Sequence, residues 1–229
     1  MPSDAPAISA TPAEPRRSRR LLDPVDRVSE ILFGLIMALT FTCTLSVAEA
    51  GEAEVHEMLV GALGCNLAWG IVDATIFLLV NLIERARGAN LIGAVRASAD
   101  AGQGRRLISD AMPEALASGM DATALETLRL RVAGMSVSSL RRGPSGADWL
   151  AALGVFLLVV AATFPVAIPF MLTEDAALAM RTSNGIAIAL LFACGAMLGR
   201  YAGISAVRIG LLMAVLGTAL VAITIALGG

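Results

Sequence analysis

Lysine is absent: all 17 basic residues are arginine, and His56 is the only histidine. A phosphate-cradling glycine loop that ends in lysine is therefore excluded. A single histidine argues against a histidine-built metal centre or a catalytic triad. The three cysteines, Cys43, Cys65 and Cys194, are odd in number and scattered through apolar runs. They give neither a disulfide framework nor a zinc spacing and read as small apolar fillers. Charge is scarce, at 16% of residues, against about 25% in soluble domains. The net charge of -2 lacks the basic excess of a nucleic-acid binder. No soluble enzyme is expected from this inventory, and no resident cofactor.

What is abundant is apolar sequence. The chain is 57% hydrophobic over 229 residues, with a mean hydropathy of +0.77. Crossing the hydrocarbon takes about 20 mostly apolar residues. Five runs meet that need: Ile31–Ala50, Met58–Ile83, Trp149–Leu172, Thr182–Leu198 and Ile204–Leu227. The sequence predicts an all-α membrane protein with five transmembrane helices and a small cytoplasmic helical module between the second and third. Residues 1–28 read as a disordered cytoplasmic tail, rich in Ala, Pro and Ser. Residues 29–83 hold the first two spans, 84–146 the module and 147–229 the last three spans. No apolar run begins before Ile31, so a cleaved signal peptide is not expected.

Arginine placement sets the orientation. Arg16, Arg17, Arg19, Arg20 and Arg27 precede the first span, and nine arginines from Arg85 to Arg142 follow the second. The connection EAGEAEVHE has none, and TEDAALAMR has one. The expected topology is multi-pass in the bacterial inner (cell) membrane, N-terminus cytoplasmic and C-terminus outside, with membrane lipid as the surroundings. Within the module, Pro113-Glu114 and Asp121 read as helix starts. Gly34/Ala38, Gly195/Gly199 and Gly210/Ala214 repeat small residues at a spacing that lets helices pack closely in lipid. Pro165 and Pro169 are expected to bend or end the third span.

The polar residues inside the spans carry the chemistry. Asn66 and Asp73 stand seven residues apart in the second span, about two helical turns, so one face carries both. A charge at mid-span costs roughly 2.5–3.5 kcal/mol on insertion scales, so Asp73 should face the bundle interior or a wet cavity. It would serve there as an ion ligand or proton carrier, or alternatively as a structural hydrogen-bonding group. Met37, Thr40 and Thr44 line one face of the first span and offer a thioether and hydroxyls to a cation, although Thr also bonds back to its own helix. Glu30, at the cytoplasmic mouth, is either an entry ligand or a favourable acid in a first helical turn. His56 and its neighbouring glutamates suit a divalent cation or form a solvated loop.

Two spans, a helical module and three spans, entered from the N-terminal side inside, resemble the vacuolar iron transporter family. GALGCNLAWG is similar to that family's second-helix stretch, FPVAIPFML to its third-helix ending, and AVRIGLLMAVLGTALVAITIALG to its last span. The resemblance covers roughly residues 26–229. It implies export of ferrous iron or manganese from the cytoplasm, proton-coupled, by a homodimer. The family's first-span Asp-Gly pair falls on Met37 and Ala38, and its second-span Gly-Glu on Ala68 and Trp69. Glu-x-x-Glu pairs are missing from the module. The expected metal ligands are therefore Asp73, Asn66, Met37 and Glu30. The alternatives are a non-transporting membrane scaffold or sensor on the same fold, or a carrier of a different small solute.

Overall fold

The computed structural model describes residues 24–43, 52–137 and 143–226. The basic N-terminal cluster, Thr44, Glu49, Arg141 and Arg142 lie outside them. All regular elements among the described residues are helices: α1 (Pro24–Cys43), α2 (Glu52–Ala97), α3 (Ala101–Asp110), α4 (Glu114–Ala117), α5 (Ala122–Gly134), α6 (Gly146–Leu172), α7 (Ala176–Tyr201) and α8 (Ala206–Ala226).

Four stretches are long and apolar enough to cross a membrane: Ala53–Ala97 in α2, α6, α7 and α8. The described part of α1 starts with Asp26, Arg27 and Glu30 and becomes uniformly uncharged from Ile31 onward. The rest of its expected span, 44–50, lies outside the described residues. In α6 the helix continues through Pro165 and Pro169 and ends soon after, at Leu172. Each proline lacks an N–H and leaves a carbonyl one turn back without its donor. Ser183 of α7 donates to the Val166 carbonyl at 2.7 Å in this weakened stretch, which ties the two helices together.

α1 sits at the centre. It packs against α2, α6, α7 and α8, which otherwise neighbour one another in the order α2, α6, α7, α8. Val28, Leu35, Ala38, Leu39 and Cys43 form its buried stripe and meet Ala162 and Val166 of α6 and Ala187, Leu191 and Cys194 of α7. Lipid is as apolar as leucine, so close packing rather than water exclusion must hold such helices together. The small-residue pairs are placed accordingly. A Cβ on Gly34 would lie 2.6 Å from the Val159 carbonyl oxygen of α6, and one on Gly195 would lie 2.8 Å from the Ile209 carbonyl oxygen of α8. Gly199 and Gly210 are comparably tight in the contact between α7 and α8.

The second helix does not stop at residue 83, where the sequence suggests a change in kind. α2 continues to Ala97 because Ala89, Ile92 and Val95 repeat at three-residue spacing and are buried, in contact with α3 and α5. The predicted helix starts are present: Asp121 accepts from the Ala124 N–H at 2.7 Å, and α4 begins at Glu114, after Pro113. Arg96, on the last turn of α2, donates to the Ala133 carbonyl at 2.8 Å and also to that of Met135. A cation thus meets the open carbonyls at the C-terminal end of α5. At the other junction Arg85 pairs with Asp148, the residue that closes a capping box with Ser145 at the start of α6.

Glu126 joins α3 to α5, bonding Arg129 at 2.7 Å and Arg105 at 3.2 Å. The Arg129 hydrogen bond, helped by Arg105, holds its carboxyl below the usual carboxylate range. With the folded pKa lowered, the stabilisation is complete above the unfolded value of about 4.3 and is lost as pH falls through the folded value. Hydrogen-exchange protection of α3 and α5, corrected for intrinsic rates, should fall on acidification below that point. Glu126→Gln should show reduced protection already at neutral pH and a flatter acid profile.

Candidate functional site

On α1 the residues left out of the buried stripe form a stripe of their own. Glu30, Phe33, Met37 and Thr40 recur at three- and four-residue spacing, and all keep part of their surface exposed. On α2 the buried stripe runs through Met58, Ala62, Asn66 and Gly70, with Asp73 and Ala74 half-buried at its continuation. The two helices run antiparallel here. Asn66 lies beside Gly34, and four residues back along α1 and seven on along α2 Glu30 meets Asp73.

The four expected ligands therefore divide. Asp73 and Met37 line one cavity of about 200 Å³, together with Phe33, Trp69 and Val159. Glu30 adjoins it, close enough for the two acids to interact. Glu30 Oε2 is buried and has no partner of its own. The ion pairs of the described residues engage other acids: Glu84, Glu126 and Asp148.

Asn66 is placed elsewhere. It is fully buried; its Nδ2 donates to the Gly34 carbonyl of α1 at 3.2 Å and to Thr163 Oγ1 of α6. One amide thus joins three helices, two turns from the acid pair. Its Oδ1 has no protein partner. Thr40 is also occupied: its hydroxyl donates to its own helix at the Ile36 carbonyl, 2.8 Å away. The hydroxyls of Thr75, Thr182, Thr218 and Thr224 bond back in the same way.

Asp73 precedes Arg85 by twelve residues on the same helix, about 18 Å along its axis. The acid pair is thus well removed from the Arg85–Asp148 pair at the base of α6. Among the described residues no group of three or more His, Cys, Asp or Glu side chains could hold a metal ion. His56 instead lines a separate hollow of about 480 Å³ with Ala53, Val55, Leu59 and Phe170. In the module, Asp121 caps a helix and Glu126 pairs with arginines.

Sequence reasoning named Glu30 and Asp73 separately and missed their pairing. It also missed Phe33 and Trp69 as cavity walls. The available signals were the spacing Glu30–Phe33–Met37 on one helix and Trp69–Asp73 on the next. Which faces meet depends on the α1–α2 register, and that is fixed by the Asn66 joint rather than by either pattern.

These long apolar helices around a central one define a multi-pass α-helical membrane protein. No protein-family model and no curated protein matches the chain.

Proposed function

We propose that the protein is a membrane carrier that moves a divalent cation, ferrous iron or manganese, out of the cytoplasm, with Glu30 and Asp73 as its central carboxylates. The supporting observation is the meeting of these two acids from separate helices beside a cavity that Met37 also lines. Carboxylate oxygens with a thioether suit a borderline cation, and intramembrane acids mark ion pathways by default. Intramembrane acids also form proton relays, so the same pair can carry the counter-moving proton. In this reading α1 completes a fifth span, the arginine-rich α3–α5 module faces the cytoplasm of a bacterial cell, and the C-terminus lies outside. A homodimer would meet through α1 and α2, beside the cavity. Asn66 acts as the joint between helices rather than as a ligand.

A second reading is a proton-linked carrier of another small solute, favoured by the presence of two paired acids without a third ligand of the His, Cys, Asp or Glu kinds. Purified protein in liposomes, loaded in turn with ferrous iron- and manganese-sensitive dyes and a pH probe, separates the two. Metal flux with opposed proton movement is expected. Proton movement that neither metal affects would favour the second reading. Absence of both movements would instead favour a scaffold.

A further inference from the structure

The cavity beside the acid pair has walls that a metal ion does not need. Phe33 of α1 and Trp69 of α2 face it with Met37 and Val159, so that Asp73 is the only acid among its lining residues. Phe33 and Trp69 remain 59% and 47% exposed, so the cavity opens between them onto the outside of the bundle. Its volume of about 200 Å³ is larger than the ~150 Å³ that suffices for a benzene ring in an engineered apolar cavity.

We propose that this cavity binds a small lipophilic organic ammonium ion, with its apolar body between Phe33 and Trp69 and its N–H donors on the carboxyls of Asp73 and Glu30. Two features support that class. Aromatic faces attract organic cations through the ring quadrupole, and two rings flank one cavity here. The acid pair lacks donors: Glu30 Oε2 is buried without a partner, and the described ion pairs place arginine on other acids. The ligand is thus a primary or secondary amine, because two carboxyls need at least two N–H donors, and a tertiary ammonium has one and a quaternary none. An amphipathic amine dissolves in the bilayer and can approach the exposed edges of Phe33 and Trp69 from there.

The proposal goes beyond cation transport and shares only the cavity with it. The test uses the full chain in zwitterionic nanodiscs with Trp149→Phe, which leaves Trp69 as the sole tryptophan. Benzylamine and its neutral counterpart benzyl alcohol are titrated against Trp69 fluorescence. Benzylamine should give a saturable change and benzyl alcohol only a linear one. Asp73→Asn should weaken benzylamine binding about tenfold or more, the loss of a charge-assisted hydrogen bond. Phe33→Ala, at a half-exposed position that folding tolerates, should weaken it about threefold. Linear responses to both compounds, which indicate partition into lipid, overturn the proposal. So does unchanged affinity in Phe33→Ala. Manganese flux on the same preparation keeps the two readings apart: flux without saturable amine binding removes this proposal alone, and saturable amine binding without flux removes the metal reading alone.

Discussion

Asp73→Asn is expected to abolish manganese or ferrous iron flux while leaving the protein at least as stable as before. Asparagine keeps the size of aspartate and one of its two acceptor oxygens, replaces the other with an amide donor, and removes the charge and the ionisable carboxyl. Outer partners of a bound metal typically cost 10- to 100-fold in affinity or activity when removed. A direct carboxylate ligand should exceed that range, so flux in proteoliposomes should fall about a hundredfold or more. Stability should move the other way. An acid within a span costs roughly 2.5–3.5 kcal/mol on insertion scales, and the amide, though still polar, carries no charge to desolvate. An unchanged or raised thermal midpoint together with lost flux is the signature of a residue retained for function rather than for folding. In cells the same logic predicts lost metal resistance at normal protein level for Asp73→Ala. Flux within a few-fold of the parent would remove Asp73 from the transport path.

Glu30 makes that result more specific. Because its carboxyl meets that of Asp73, the two should act as one unit. Residues that act as a unit show strong non-additivity, so Glu30→Gln on top of Asp73→Asn should add little. Independent losses that multiply would place the two acids on separate steps.

Much of the fold was legible. Long apolar runs gave α6 and α8 nearly to their ends and α7 from Thr182 on, missing its first six residues; α4 and α5 followed from Pro113-Glu114 and Asp121, whereas α3 did not. The continuation of α2 past residue 83 was not legible, because Glu84, Arg85 and Arg87 end the apolar run and Gly88 and Gly93 follow. A Cβ at either glycine would meet nothing within 4 Å, which places both on the open side of the helix, while Ala89, Ile92 and Val95 anchor the opposite side. The site was legible as a set of residues and not as an arrangement. A single helix pattern says that Asn66 and Asp73 share a face. It cannot say that Asn66 turns into a three-helix joint with Gly34 and Thr163, or that Asp73 finds Glu30. Both outcomes depend on how far α1 slides along α2, and side chains distant in sequence set that register.

Gly34 is where that register is most exposed to change. Gly34→Ala is expected to destabilise the protein by about 1–3 kcal/mol, the range for overpacking a tight contact. The added Cβ would stand 2.6 Å from the Val159 carbonyl oxygen and 2.8 Å from the Ala162 Cβ. Neither can swing away, since one is backbone and the other is fixed to it. α1 must therefore back off from α6, and the Gly34 carbonyl, which accepts from Asn66 Nδ2, moves with it. The loss should then reach beyond packing: with the joint opened, Glu30 shifts relative to Asp73 and flux falls together with stability. Gly64→Ala is the matched control, because a Cβ there meets nothing within 4 Å. In a helix interior that exchange is worth up to about 1 kcal/mol in favour of alanine. The two substitutions are chemically identical, so opposite shifts in the unfolding midpoint, measured in the same lipid, would isolate the contact with α6 as the cause. Equal midpoints would mean that α1 and α6 do not approach this closely in the bilayer, and the placement of Glu30 against Asp73 would lose its support.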